Sequence, residues 1–250
     1  SRLVSRRDDG SFYDRFRHRL MFPIHNEMGK VIAFGGRALS ADDPAKYLNS
    51  ADSRLYHKSG VLYNLHRAKG AIRQNDRAIL VEGYMDVIGV YSAGIKEVVA
   101  SCGTSLTNEQ VRVIHRFSEH LTVNFDPDPA GTRATAAKIN MLVEEGMRVR
   151  VLELNADLDP DEYIKDKGVD AYRASLDKAP GYFLWLAERA RKQFDQRSAE
   201  GKVEVLKSLL PSIQRISNRL ERMTIANEMA SYLGITAGEV LEEFRKAAAD

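Results

Sequence analysis

Cysteine is almost absent from this sequence, since Cys102 is the only one in 250 residues. A single thiol excludes an internal disulfide framework and a zinc site built on several thiolates. Long apolar runs are also missing, because no stretch approaches the roughly 18 residues that a membrane span requires. The first residues lack the apolar segment of a secretory signal, and the chain starts at Ser1 instead of methionine. We therefore expect a cytoplasmic fragment of a longer protein, with no zinc and no membrane contact.

A strong net charge is missing as well, because 37 Lys and Arg nearly balance 35 Asp and Glu. The charges are nevertheless distributed unevenly along the chain. Residues 1–75 hold 14 basic and 7 acidic side chains, whereas residues 76–167 hold 10 basic and 16 acidic ones. A basic part next to an acidic part suits a protein that holds phosphates with one lobe and metal with another. Chance variation on solvated surfaces explains the same asymmetry equally well.

The middle of the chain alternates between strand and helix patterns. Short runs at residues 78–82, 97–101, 120–126 and 148–154 predict four strands. Helical spacing fills the intervals between them, with Thr107 as a candidate N-cap. This order predicts an α/β domain at residues 76–167, with a mostly parallel sheet and helices on its faces. In such sheets, binding sites lie beyond the carboxyl ends of the strands.

Two further regions flank the predicted α/β domain. Residues 1–75 are predicted to form a basic, partial α+β subdomain in which Gly35 and Gly36 either break a strand or let a nucleotide approach the backbone. Residues 168–250 show helical periodicity and predict a C-terminal bundle of about four helices, with Pro211 separating two of them. The expected fold class is therefore α/β combined with α+β, in three lobes that pack directly on one another.

Three acidic clusters follow the predicted strands. They contain Glu82 with Asp86, Asp126 with Asp128, and Asp159 with Asp161. Gly83 permits a tight turn from strand into helix, which places Asp86 about one helical turn from Glu82. Side chains at positions i and i+2 of an extended chain point the same way, so Asp126 and Asp128 can share one cation. Oxygen-only ligands suit Mg²⁺ or Mn²⁺, and converging carboxylates repel one another unless cations bind between them.

Each acidic cluster also has a purely structural explanation. The sequence DPDP at residues 126–129 is typical of turns, DPD at residues 159–161 is typical of a helix start, and Glu82 ends a strand with a polar residue. Three clusters at successive strand ends nonetheless favour a metal site. Metal ions that bridge substrate phosphates are typical of phosphoryl transfer by polymerases and nucleases.

The motifs EGYMD at 82–86, GTSLT at 103–107, DPDPAG at 126–131 and DPD at 159–161 occur in this order. Together they resemble the Toprim domain of bacterial DnaG-type primases, a domain that topoisomerases and some nucleases also contain. Upstream stretches resemble the basic subdomain of the same family and make the resemblance specific to primases. These stretches are RFRHRLMFPI at 15–24, IAFGGR at 32–37, KYLNS at 46–50 and YHK at 56–58. The sequence departs from the family at Pro127, where many relatives have glycine between the two aspartates.

The resemblance implies a DNA-dependent RNA polymerase that makes short RNA primers on single-stranded DNA. By position it implies that Glu82, Asp126 and Asp128 are catalytic, with Glu82 acting as a metal ligand or general base. It implies that two or three Mg²⁺ or Mn²⁺ ions bind to Glu82, Asp86, Asp126, Asp128, Asp159 and Asp161. It also implies that nucleotide and template bind to Arg37, Lys46, Tyr47, Asn49 and Lys58.

The partners implied by the resemblance are single-stranded DNA, nucleoside triphosphates and the nascent RNA at a bacterial replication fork. A replicative helicase would bind through a C-terminal domain that we expect this chain to lack. Two alternative functions remain open: a Toprim nuclease, in which water attacks phosphorus, and a DNA-binding scaffold with a vestigial Toprim fold. The KYLNS and RFRHRLMFPI motifs disfavour the nuclease, and the intact acidic positions disfavour the scaffold.

Overall fold

The computed structural model describes residues 3–101, 106–124, 132–154 (132–134 by backbone only), 158–195, 197–236 and 238. Its N-terminal part forms two antiparallel sheets. Strands β1 (Val4–Arg6) and β2 (Phe12–Asp14) make one, and β3 (Arg19–His25), β4 (Val31–Ala38) and β5 (Tyr47–Asn49) make the other, in the order β3-β4-β5. Gly29, with φ of +80°, supplies the left-handed residue in the turn between β3 and β4.

A four-stranded parallel sheet forms the centre of the molecule, as the sequence predicts. Its strands are β6 (Ala78–Val81), β7 (Val98–Ala100), β8 (His120–Val123) and β9 (Arg148–Val151), in the order β7-β6-β8-β9. Helix α1 (Leu65–Asn75) precedes the sheet, and α2 (Tyr84–Ser92), α3 (Asn108–His115) and α4 (Thr132–Glu144) connect its strands. Thr107 is confirmed as the N-cap of α3, because its hydroxyl accepts a hydrogen bond from the Gln110 amide at 3.2 Å.

The chain then becomes helical, which confirms the fold class expected for its C-terminal part. The helices are α5 (Pro160–Lys167), α6 (Val169–Lys178), α7 (Tyr182–Arg191), α8 (Ala199–Ile213) and α9 (Arg219–Leu233). The prediction for Pro211 is wrong, because this proline lies inside α8. A proline in the last turn removes a single hydrogen bond, so the helix continues to Ile213. Among the described residues, no helix combines the length and the apolar character that crossing a membrane demands.

Both faces of the parallel sheet are buried, which explains why strands β6 and β7 are apolar at every position. Leu80 and Val99 point to one face, in a core shared with α1, α3, α4 and the helices α7, α8 and α9. Ile79 and Val98 point to the opposite face, in a second core shared with α2, α6 and the inner side of the three-stranded sheet. The second core therefore joins the N-terminal sheet to the central domain.

The predicted strand break at Gly35 and Gly36 is also wrong, since both residues lie within β4 and pair with β3. A Cβ atom on Gly35 would lie 2.5 Å from the ring of Tyr84, and one on Gly36 would lie 2.8 Å from the ring of Phe16. The two glycines make room for aromatic rings that pack against the strand. Tyr84 at the start of α2 thus packs directly on β4.

The domain boundaries at residues 75 and 167 stay predictions.

Candidate functional site

A groove of about 410 Å³ lies where the carboxyl end of β6 faces the three-stranded sheet. Three segments that are distant in sequence form its walls: strands β4 and β5, the turn from β6 into α2, and the first turns of α5. Eight of the eleven predicted site residues line this groove. Four are basic or polar, namely Arg37, Lys46, Tyr47 and Asn49, and four are acidic, namely Glu82, Asp86, Asp159 and Asp161.

Three of the acidic residues form a compact carboxylate cluster. Oxygen atoms of Asp86, Asp159 and Asp161 all lie within 4.8 Å of one another. Asp86 and Asp161 are buried, so the repulsion between their charges is screened less than on the surface. An all-oxygen set of donors at this spacing fits a hard divalent cation, and the cluster is a candidate site for one.

Local structure fixes each member of the carboxylate cluster. Asp86 lies in the first turn of α2, where its carboxylate accepts a hydrogen bond of 2.9 Å from the Gly83 amide. Asp159 is the N-cap of α5, and Pro160 occupies the first helical position, where a missing amide hydrogen is tolerated. Asp161 follows in the first turn of the same helix. The cluster is thus built from the amino-terminal ends of two helices, where negative charge is favoured.

The two helices can approach because α2 carries Gly89. A Cβ atom at this position would lie 2.4 Å from the Cβ and 2.9 Å from the Cα of Asp161. Any larger residue would therefore move α5 away from α2, and Asp161 away from Asp86. The sequence gives no signal for this role, because an isolated glycine in a helical pattern has several explanations.

Glu82 lines the same groove but is not part of the carboxylate cluster. Its Oε1 atom lies 3.3 Å from Nζ of Lys138 on α4, and both side chains are partly exposed. The remaining predicted acidic ligands, Asp126 and Asp128, lie outside the described residues. Sequence reasoning missed Lys138, which lies 56 positions from Glu82.

The opposite wall of the groove is held in place by aromatic residues. The hydroxyl of Tyr84 donates a hydrogen bond of 2.7 Å to Oδ1 of Asn49, which orients the amide of that residue. The guanidinium of Arg37 lies over the ring of Tyr47 at 5.9 Å. Pairing of β4 with β5 sets Arg37 opposite Tyr47 and Gly35 opposite Asn49. These polar groups therefore share one rigid surface across from the carboxylates.

One predicted binding residue lies elsewhere in the described part of the chain. Lys58 is in a short 3₁₀ turn, Lys58–Gly60, and does not line the groove. Its amide donates a hydrogen bond of 2.9 Å to Asp52, and its carbonyl accepts one of 3.3 Å from Gln110. The predicted role of Lys58 stays a prediction.

Lys165 is a groove residue that sequence reasoning missed. Its Nζ atom lies 2.7 Å from Oδ2 of Asp161, one helical turn away. The hydrogen bond to this carboxylate raises the pKa of Lys165 above its ordinary value, while the positive charge of Arg37 acts in the opposite direction. A signal was present in the sequence, since acidic and basic residues four positions apart on a helix commonly pair.

The end of β8, which precedes the DPDPAG motif, is fixed by a buried amide. Oδ1 of Asn124 accepts a hydrogen bond of 3.0 Å from the hydroxyl of Tyr172, and its Nδ2 donates to the Leu152 carbonyl at 3.4 Å. Burial, and to a smaller extent the charge of Asp86, raises the pKa of Tyr172 well above its usual range. Tyr172 therefore stays a neutral donor, which anchors this strand end beside the cluster.

Three known families match the chain in sequence order. The DNA primase catalytic core, N-terminal domain, matches residues 1–69, a Toprim-like family matches residues 79–164, and the DnaB-helicase binding domain of primase matches residues 185–237. The last match corrects our expectation that this chain lacks a helicase-binding domain. The helical periodicity of that region indicates packing faces but carries no distinctive motif, so a helicase-binding domain could not be predicted from it.

A crystal structure of a DNA primase domain from Pseudomonas aeruginosa has a TM-score of 0.83 and 32% sequence identity to this chain, covering 97% of this chain and 77% of that one. The chain belongs to the DnaG-type DNA primase family. The DNA primase of Halalkalibacterium halodurans is 37% identical over 245 residues, which are 96% of this chain and 40% of that protein. The chain thus spans well under half the length of the curated primases it matches. A structure of a DnaG primase catalytic domain bound to single-stranded DNA has a TM-score of 0.79 and 32% identity, covering 92% of this chain and 74% of that one.

Proposed function

We propose that this chain is the RNA-polymerising core of a primase, which makes short RNA primers on a single-stranded DNA template. One observation carries the proposal: a single groove places Arg37, Lys46 and Asn49 opposite the carboxylate cluster. Cationic and amide donors on one wall suit phosphates, and oxygen ligands on the other suit divalent ions. Nucleotidyl transfer needs both groups within the length of one nucleotide.

The reaction is the attack of a 3′-hydroxyl on the α-phosphorus of a nucleoside triphosphate, with pyrophosphate as the leaving group. In this proposal Arg37 and Lys46 bind phosphate oxygens, and Asn49, oriented by Tyr84, donates its amide hydrogens to the nucleotide. Divalent ions at the cluster would neutralise the charge of the phosphates and lower the pKa of the attacking hydroxyl. The chain's own contribution is to hold both substrates in register and to place the carboxylates beside the reacting phosphate.

Asp86, Asp159 and Asp161 are the proposed metal ligands of the described part of the chain. Asp126 and Asp128 are proposed to complete the set, so that two or three Mg²⁺ or Mn²⁺ ions bind. Glu82 is proposed as a further ligand or as the general base that receives the hydroxyl proton. Lys138 keeps the Glu82 carboxylate at the edge of the groove through their ion pair.

The proposed partners follow from the relatives. Single-stranded DNA is the ligand of the related catalytic domain, and we propose it as the template here. Residues 185–237 are proposed to contact a replicative helicase of the DnaB type, because that segment matches the corresponding family. The relatives are bacterial primases, and we propose that this chain works at a bacterial replication fork.

Incubation of the chain with single-stranded DNA, labelled nucleoside triphosphates and Mg²⁺ or Mn²⁺ tests the proposed activity. We expect short, template-dependent RNA products. Glu82→Gln keeps the size of the side chain and removes its charge, so synthesis should fall by at least about a hundredfold, the usual contribution of a general base. Glu145→Gln is the matched control, because Glu145 pairs with Arg112 outside the groove.

Each part of the proposal has a result that would contradict it. Near-normal synthesis by a well-folded Glu82→Gln variant would contradict the role of Glu82 as a metal ligand or general base. Shortening of labelled DNA without any RNA product would indicate the Toprim nuclease instead, with water as the attacking group.

A further inference from the structure

The carboxylate cluster already has a cation of the protein's own beside it. Lys165 lies on α5, one turn after Asp161, and its ammonium is 2.7 Å from the Asp161 carboxylate. The side chain of Lys165 is 68% exposed, whereas that of Asp161 is 10% exposed. An exposed ammonium on a flexible stem is therefore paired with a buried carboxylate.

The same side chain faces the substrate groove. Lys165 lines the groove together with Arg37 and Lys46, which lie on the opposite wall. When Lys165 leaves Asp161, its flexible stem can carry the ammonium into a space that two other cations already border.

We propose that Lys165 competes with a divalent ion for Asp161 and, once displaced, binds a phosphate of the incoming nucleotide. The inference rests on the proposed function of the groove. It makes Lys165 a positioning residue with two states, paired with the cluster before the ion binds and paired with substrate afterwards. Divalent ion and nucleotide would then bind in a coupled way, because each favours the same state of Lys165.

The change in divalent-ion affinity on removal of Lys165 has opposite directions for competition and for a purely structural role. If Lys165 only held Asp161 in place, its removal would loosen the cluster and weaken the binding of a divalent ion. If Lys165 competes with that ion, its removal takes away a like charge beside the site and tightens binding. A unit charge next to a divalent ion at a protein surface justifies a tightening of at least about threefold.

The experiment titrates Mn²⁺ into the full 250-residue chain and measures the dissociation constant by calorimetry and by the electron paramagnetic resonance of free Mn²⁺. We expect Lys165→Met to tighten Mn²⁺ binding at least about threefold. Lys165→Arg, which keeps the charge, should bind like the parent. Lys167→Met is the matched control, since Lys167 pairs with Asp166 on the same helix outside the groove and its loss removes the same net charge.

A second titration, with ATP at saturating Mn²⁺, tests whether Lys165 binds a phosphate once the ion has displaced it from Asp161. Lys165→Met should bind ATP at least about threefold more weakly than the parent, the effect of losing one charged phosphate contact. Lys167→Met should bind ATP normally. Unchanged or weaker Mn²⁺ binding by Lys165→Met overturns the competition, and unchanged ATP binding overturns the phosphate contact.

An Asp159→Asn variant distinguishes failure of this inference from failure of the proposed function. If Asp159→Asn binds Mn²⁺ as tightly as the parent, the cluster is not the metal site and both proposals fail. If Asp159→Asn loses affinity while Lys165→Met gains none, the metal site stands and the role of Lys165 alone is refuted.

Discussion

At the scale of single residues, Tyr84 links the two halves of the site. Its ring stacks on Phe22 of β3 with centroids 4.7 Å apart and an interplanar angle of 3°, and it meets the edge of Tyr63 at 4.8 Å. Its hydroxyl reaches Asn49 on β5. Tyr84 lies two residues before Asp86. Its side chain therefore connects the groove wall that contains Asn49 with the helix that carries the first carboxylate of the cluster.

Replacing Tyr84 by Phe keeps the ring packing and removes the hydrogen bond to Asn49. We expect the KM for nucleoside triphosphate to rise about twofold to twelvefold, which corresponds to the ~0.5–1.5 kcal/mol of a net hydrogen bond. The turnover number should change less, since no reacting atom is lost. Steady-state primer synthesis measures both constants, with Tyr163→Phe as the control because Tyr163 lies outside the groove. An unchanged KM would show that Asn49 needs no orientation by Tyr84.

We expect His66 to make the free energy of unfolding depend on pH. Burial, and then the charges of His25, Arg67 and Lys69, lower the pKa of His66 from 6.5 to about 4. Between these two values the unfolded chain binds the proton more strongly, so the free energy of unfolding should fall as the pH drops from about 6.5 to 4. Urea unfolding across this range should show a shallower fall for His66→Gln than for the parent. The exposed His57→Gln variant should retain the full dependence, and equal slopes in all three chains would refute the assignment.

At the scale of secondary structure, the contact between α2 and α5 determines the geometry of the cluster. Asp86 belongs to one helix, and Asp159 and Asp161 belong to the other, so their spacing depends on how closely the helices pack. Gly89 is the residue of α2 at which Asp161 approaches.

Gly89→Ala would force the two helices apart. We expect a loss of about 1–3 kcal/mol in the free energy of unfolding, typical of overpacking. Mn²⁺ affinity should also decrease, because Asp161 moves away from Asp86. Gly70→Ala on α1 is the matched control, since nothing lies within 4 Å of a Cβ there, and it should stabilise the helix by about 0.5–1 kcal/mol. Unaltered Mn²⁺ binding by a destabilised Gly89→Ala variant would show that this contact does not position the cluster.

The elements predicted best are those with a local cause. The strands β6 and β7 follow from apolar runs, β8 and β9 follow from apolar residues at alternate positions, and the N-cap at Thr107 follows from hydroxyl chemistry. The failed prediction of a strand break at Gly35 depends on a tertiary contact, because the aromatic ring that packs over Gly35 comes from another element. The prediction for Pro211 failed for a local reason, since this proline lies in the last turn of its helix.

The candidate site was also predictable only where its residues follow a local pattern. Carboxylates at strand ends could be assigned to one edge of the sheet, and three of them do meet there. The pairings of Lys138 with Glu82 and of Tyr84 with Asn49 join segments 56 and 35 residues apart, so only the folded chain reveals them. The helicase-binding family match lies in helices whose sequence shows only periodicity.

At the scale of the whole molecule, the basic and acidic parts of the sequence lie on opposite walls of the groove. The basic first part contributes Arg37 and Lys46 to one wall, and the acidic middle part contributes Glu82, Asp86 and Asp159 to the other. The second hydrophobic core fixes these parts against each other through residues of the N-terminal sheet and of the parallel sheet. We propose that both walls belong to one metal-dependent site.

Iron-directed cleavage tests whether both walls surround one bound metal ion. Fe²⁺ replaces the divalent ion, and ascorbate with hydrogen peroxide then generates hydroxyl radicals that cut nearby backbone. We expect cuts close to residues 82–86 and 159–161 and also across the groove at residues 46–49, all suppressed by excess Mg²⁺ and absent in Asp159→Asn. Cleavage confined to other segments, or cleavage at 82–86 without any at 46–49, would contradict a single site built from both walls.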